Sequence, residues 1–377
     1  DGSRGKMAEY GVVALALIGS NKALRTVEFF SRKYKNKYSN IGTAALNALQ
    51  VAADELGMDM NELADSIIPD FGFENMYKTF SVGSEEFRAF VNKDFKLTFL
   101  NEDGKILKSL PKNTAKELAE EFKEIGKEIR DVVKSQSSRM ELYLVIQRKW
   151  QAEKWQSFFV GNPIMFVYAT HLVWGAFDIT GKLTETFYCS EDTSLLNVND
   201  EEISLPEDAQ IGMIHPLLLS EAEKNTWIQK FYELEIESVF PQLLRPVVKL
   251  ALKEATLTES EEFSKIKAEP MPIKGAFKGY GWVAWGVEDH GDISSFAKNY
   301  TEMGVRAMID TGGGLFLGYD GDGMEAEFGS FYFKKISDKW DEPNLAFGEV
   351  PEIVYSETVS ELRQIIPKEE ETKKMNS

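Results

Sequence analysis

Cysteine and histidine are almost missing from this chain of 377 residues, which has one Cys, at 189, and three His, at 171, 215 and 290. A single thiol excludes an internal disulfide framework and fits a reducing compartment. Three separated histidines, with no spaced Cys or carboxylate partners, exclude the usual zinc patterns, and no cofactor is expected. Long apolar runs are also absent. None approaches the ~20 residues that span a bilayer, and the N-terminus lacks the layout of a secretory signal, so a cytoplasmic protein outside the membrane is expected. Basic residues are outnumbered 43 to 61 by acidic ones, leaving a net charge of −18. That balance argues against direct nucleic-acid binding or attraction to anionic lipid, both of which need clustered Lys and Arg.

Catalytic constellations are equally sparse. No GxSxG elbow occurs. Cys189 stands in the strand-like run Phe187-Tyr188-Cys189 without the electropositive setting a nucleophilic thiol needs, and reads as a packing residue. Gly312-Gly313-Gly314 is followed by strand-like Leu315-Phe316-Leu317 rather than a helix, so it reads as a turn and not as a phosphate loop. Asp320-Gly321-Asp322-Gly323 echoes a calcium loop, but Met324 and Phe331 stand where ligands are required. His215 precedes Pro216 and reads as a connection fixed by proline. An enzyme is not the expected reading.

What is present is apolar residue in quantity, 43% hydrophobic with 12% aromatic, enough to bury a sizeable core in two or three domains. The spacing predicts helices over 7–19, 21–35 and 41–56, and the alanine-rich run from Ala44 resembles a HEAT-like helix. Asp103-Gly104 between two short apolar runs predicts a hairpin over 95–110. Thr114 and Glu117 predict the capped start of a long helix. Asn162-Pro163 predicts another, ending near Trp174 at Gly175, with His171 a core residue on the face of Ile164, Val167 and Trp174. A β-meander is expected over 176–214, capped helices after Ser220 and Thr258, and an antiparallel sheet over the final third. The expected class is α+β. Its expected divisions are a helical 1–82, the end of a longer HEAT-like stack; a core, 83–250; a C-terminal α+β region, 251–366; and a disordered tail, 367–377.

The long helix holds the most informative anomaly. Its seam Leu118, Phe122, Ile125, Ile129 and Val132 advances by alternating steps of four and three, then lands on Gln136 and Arg139 before Tyr143, Ile146 and Trp150. A guanidinium on a buried seam needs an acceptor from another segment or from an anionic ligand. Gln136, Arg139, Glu141, Arg148, Trp150, His171, His215, Gln242 and Arg245 are therefore the ligand-binding candidates.

Gln136, Arg139, Met140 and Glu141, followed by Arg148, Trp150, Asn162-Pro163 and Leu172-Val173-Trp174, resemble the core of a bacterial family called domain of unknown function 4132 (DUF4132). The resemblance continues through His215-Pro216, Trp227, Phe240-Pro241-Gln242, Arg245-Pro246 and Gly281-Trp282. That family also forms the C-terminal part of molybdate metabolism regulator-like proteins, so the resemblance implies a regulatory role, and it supplies no catalytic residue. It also implies helical sequence upstream, and the chain is expected to be a fragment able to self-associate through its N-terminal edge. Trp174-Gly175 and Trp285-Gly286 are followed by Ala176 and Val287 rather than Arg, so the WGR module found beside this family is not seen. Two functions follow: a non-enzymatic regulatory or scaffold protein with a protein partner, or an enzyme or small-anion sensor built around Gln136, Arg139, Glu141 and Arg148.

Overall fold

The computed structural model describes residues 2–34, 39–287, 292–315, 325–337 and 342–366. His290, the Asp320–Gly323 loop, the 316–319 part of an expected strand and the 367–377 tail lie outside the described residues. The chain forms two compact units. The first comprises 1–142, 148–214 and 226–241; the second comprises 143–147, 215–225 and 242 onward. Both are α+β.

The first unit begins with α1 (Gly2–Ile18), α2 (Asn21–Lys33), α3 (Ser39–Leu56) and α4 (Met60–Ser66). Val12, Leu24, Val27, Ala45, Leu49, Ala53 and Leu63 form their shared core, with alanines on α3 letting its neighbours approach. Asp59 caps α4 through the Asn61 and Glu62 amides, and Glu62 reaches back to the Asp59 amide. β1 (Lys78–Val82), β2 (Glu85–Val91), β3 (Leu97–Leu100) and β4 (Ile106–Leu107) follow. The expected hairpin at Asp103-Gly104 is present as β3–β4, but it is only half of a four-stranded antiparallel sheet. Phe80 and Phe99 on its inner face meet Phe122 of α5 (Lys116–Ile146), and Phe87 stacks on Phe80. The capping box expected at Thr114 does not form. Its hydroxyl donates to the Pro111 carbonyl instead, and α5 starts at Lys116.

Beyond α5 come β5 (Lys149–Gln151), α6 (Ala152–Trp155), α7 (Met165–Thr170), β6 (Trp174–Phe177), β7 (Leu183–Cys189), β8 (Leu195–Leu196), β9 (Gln210–Met213) and α8 (Glu221–Glu233). Of the expected meander only β6-β7-β8 neighbour one another in chain order; β9 returns to the far side of β6, where β5 joins it, giving a five-stranded antiparallel sheet in the order β5-β9-β6-β7-β8. Asn162 does cap α7, accepting from the Ile164 and Met165 amides. The helix ends at Thr170, however, and Trp174 opens the central strand, paired with Phe187 and Met213. A short apolar run fits either state by pattern alone, and pairing on both sides decides it. Gly175 is no helix stop: a Cβ there would lie 2.5 Å from Ile214 Cδ1 and 2.7 Å from Leu183 Cδ1, so it makes room for packing in the middle of the sheet. Trp227 and Phe231 of α8 pack on Tyr188 as expected.

The second unit contains β10 (Glu259–Ser260), β11 (Lys267–Ala268), α9 (Pro270–Gly279), β12 (Val283–Val287), β13 (Ile293–Tyr300), β14 (Val305–Leu315), β15 (Ala326–Lys335) and α10 (Glu352–Ile365). Its antiparallel sheet runs β10-β15-β14-β13-β12. Thr258 starts no helix; Glu259 and Ser260 pair with Tyr332 and Phe331 instead, so inter-strand bonds displace the local cap. Nor is the triple glycine a turn. It lies inside β14, which continues to Leu315, a buried residue paired with Ile293. Phe277, Phe296, Phe328, Phe331, Phe333 and Phe347 fill this core against α10.

Candidate functional site

The α5 seam continues as read through Arg139 and Tyr143, but α5 ends at Ile146, and Trp150 lies on β5, paired with Ile211, rather than on the helix. Phe122, Ile125, Ile129 and Val132 are buried, and so are Gln136 and Arg139. The acceptor that Arg139 needs comes from α4. Its Nη2 donates to Asp65 Oδ1 at 2.6 Å, and its Nη1 to the Ala64 carbonyl at 3.1 Å and to Gln136 Oε1 at 2.8 Å. Asp65 also binds two groups from the start of β5: Arg148 Nη2 at 2.7 Å and Trp150 Nε1 at 2.9 Å, both on Oδ2. One carboxylate, itself 10% exposed, thus accepts from two guanidinium groups and an indole. Such charge-assisted bonds are shorter and about twice as strong as neutral ones, and they tie α4, α5 and β5 together.

This cluster encloses Arg139, although its partners Ala64 and Gln136 also line a cleft of about 440 Å3. On the Arg148 side it borders a cleft of about 820 Å3, whose lining includes Asp59, Glu62, Arg148, Lys154 and Asn162. Charges in that wall pair with one another, as in Lys154 with Glu62 at 2.5 Å. Their mutual bond holds the Glu62 carboxyl below, and the Lys154 ammonium above, their ordinary ranges. Glu141 stands half-buried two residues beyond Arg139, a spacing that turns it away from the same helix face.

The second unit has its own buried polar hub, on α10. Glu357 accepts from His215 Nε2 at 3.1 Å and from Arg245 Nη1 at 2.5 Å. His215 Nδ1 in turn accepts from the Leu217 amide at 3.2 Å, in the turn that Pro216 begins. The ring is therefore held as the Nε2–H tautomer, completely buried. Neighbouring α10 residues repeat the pattern. Ser356 Oγ accepts from the Val248 amide, Thr358 meets Tyr300, and Glu361 accepts from Trp282 Nε1 and Lys298. Burial raises Glu357, but the His215 hydrogen bond and the Arg245 charge outweigh it and leave the carboxyl below its ordinary value. In Glu361 burial wins over Lys298, and the carboxyl is raised.

Asp65 thus gathers three of the candidates, Arg139, Arg148 and Trp150, with Gln136 joined through Arg139, and Glu357 gathers His215 and Arg245. Gln242 is fully buried in the second unit. His171 joins neither. It closes α7, half-buried, with Nδ1 against Thr170 Oγ1 and the Val167 carbonyl at 2.8 Å, and burial lowers its pKa. The two organising carboxylates, Asp65 and Glu357, carry no sequence signal beyond sitting on amphipathic helices. Among the described residues, no group of three or more His, Cys, Asp and Glu could hold a metal ion, and no helix is long and apolar enough to cross a membrane.

Cys189 is buried at the end of β7, and burial, reinforced by Asp192, pushes its thiol up to about 12. Thiolate is the reactive form. A thiol reagent at pH 8 is therefore expected to leave Cys189 untouched in the folded chain and to modify it fully in urea; rapid labelling of the native protein would show that the β7 end is open.

An uncharacterized protein of Escherichia coli (strain K12), YehI, is 27% identical over a region covering 72% of this chain, and the chain spans 23% of that relative's length. No solved structure matches. The stretch that carries α5, the Asp65-bound Arg139 and Arg148, and the five-stranded sheet falls within residues 104–282, which match the family described as Domain of unknown function (DUF4132).

Proposed function

We propose that this chain is a non-enzymatic regulatory or scaffold protein that acts through protein contacts, with its N-terminal helices belonging to a HEAT-like stack. The observation that carries this reading is α1. Val12 and Ala16 face inward, while Met7, Tyr10, Leu17 and Ile18 face water, with Tyr10 73% and Leu17 78% exposed. A helix that is apolar all round belongs between two layers, and an apolar face this continuous marks an interaction site. Regulation connected to molybdate metabolism, which the family resemblance implies, is compatible with this role as a contact between proteins.

The rival reading, an enzyme or anion sensor around Gln136, Arg139, Glu141 and Arg148, requires donors directed at a ligand. Gln136 and Arg139 instead bond each other, Ala64 and Asp65, which supports the scaffold. Calorimetric titration of the intact chain with molybdate, sulfate and phosphate separates the two. Heats no greater than dilution are expected; saturable binding of one anion per chain that disappears in Arg148→Met would replace the scaffold with the sensor.

A further inference from the structure

We infer that the exposed face of α1 is self-complementary and pairs two copies of this chain through antiparallel α1 helices related by a two-fold axis. The inference rests on the docking role just proposed for α1 and names its partner.

The spacing of the exposed residues sets the geometry. Met7, Tyr10, Ala14 and Leu17 follow the three-four-three steps of a coiled-coil seam, with Gly11 and Ile18 flanking it on one side. All of them face solvent. The opposite face, through Val12 and Ala16, is already committed to the helical core, so α1 carries two separate seams.

Side-chain size then selects the partner and its direction. Large residues, Met7 and Tyr10 at one end and Leu17 and Ile18 at the other, bracket the small pair Gly11 and Ala14. In a parallel pair Tyr10 would meet Tyr10 and Ala14 would meet Ala14, leaving one layer crowded and the next empty. Turned antiparallel about the Gly11–Ala14 midpoint, each Tyr10 lies over the partner copy's small residues, and each Met7 meets the opposite Leu17 and Ile18. That alternation of large and small is what close packing requires. Charge agrees with it: Lys6, exposed at one edge of the seam, comes to the C-terminal end of the other α1, where the helix dipole favours a cation. A two-fold contact of this kind closes on itself and forms no filament. A single short helix face is small beside the ~800 Å2 per partner of a standard interface, so weak, concentration-dependent association is expected.

The test uses the full chain at about 1–100 μM, a range that brackets a micromolar Kd, in sedimentation velocity. Twice the chain mass is expected at the upper end. Because Met7 and Leu17 are 72% and 78% exposed, substitutions there leave the fold intact, which circular dichroism verifies. Met7→Glu and Leu17→Lys should each give monomers, by at least a tenfold weakening. The double variant M7E/L17K should dimerise again, because only the antiparallel pairing brings each new carboxylate to a new ammonium. A wild-type chain that is monomeric throughout overturns the pairing, as do single variants that remain dimers and a double variant that does not recover. An apolar dye separates this failure from that of the docking role. A monomer that binds dye, and loses it in Met7→Glu, keeps α1 as a docking face for a different helix; a monomer that binds none removes both.

Discussion

Replacing Asp65 by Ala should cost the first unit about 3–5 kcal/mol, the range for removing one partner of a buried ion pair. The effect is large because the carboxylate is shared. Arg139, Arg148 and the Trp150 indole all donate to it, so the substitution leaves two like charges buried side by side without their counter-charge. Arg139→Met should cost less, since Asp65 then keeps Arg148 and Trp150. Urea unfolding, followed by the fluorescence of Trp150 and its neighbours, measures both. An Asp65→Ala midpoint within error of wild type would mean that the cluster contributes no net stability, and would reopen the cleft beside it as a binding site.

The second large effect is expected at Glu357. Glu357→Gln keeps the shape of the side chain but removes the charge that Arg245 faces, and a loss of about 3 kcal/mol or more is expected in the second unit. The pH dependence carries a distinctive sign. The folded-state pKa of Glu357 lies below its ordinary value of 4.5, so its contribution is fully present above that value and is lost as pH falls through the folded-state pKa. Glu361, one turn away and raised by burial, works in the opposite direction, gaining stability as it takes up a proton. Wild-type stability should therefore fall from pH 5 to pH 3 by less than it does in Glu361→Gln, while Glu357→Gln should be the least acid-sensitive of the three. Urea midpoints at pH 3, 4, 5 and 7 give the comparison. A Glu357→Gln profile parallel to wild type would show that the carboxyl titrates alike in both states.

The α+β class and much of the fold were legible because they rest on local pattern. The α5 seam is visible in its four-three steps, and the break in that pattern at Gln136 and Arg139 correctly announces a buried guanidinium. The identity of its acceptor is not visible. Asp65 lies 74 residues away, on a seven-residue helix where nothing distinguishes it from any surface aspartate. The same holds for Glu357, which is 142 residues from His215. The run Ser356-Glu357-Thr358 carries no apolar residue, yet all three side chains are buried. The misread elements share this cause. At Trp174 a helix expectation yields to pairing with Phe187 and Met213, and at Thr258 a cap motif yields to pairing with β15. In each case a long-range partner outweighs a local preference, and only the local preference is written in the neighbouring residues.

The connectivity of the α10 hub also has a consequence for biosynthesis. Every strand of the second sheet precedes α10 in sequence, and so do His215, Arg245, Trp282, Lys298 and Tyr300, whose polar groups it satisfies. At ribosomal speeds of ~5–20 residues per second, His215 emerges roughly seven to thirty seconds before Glu357. Over that interval the nascent sheet has apolar strands and orphaned polar groups but no helix to cover them, which is the condition under which chaperones engage a chain. The Asp65 cluster, whose Arg139, Arg148 and Trp150 have all been translated by residue 150, does not have to wait.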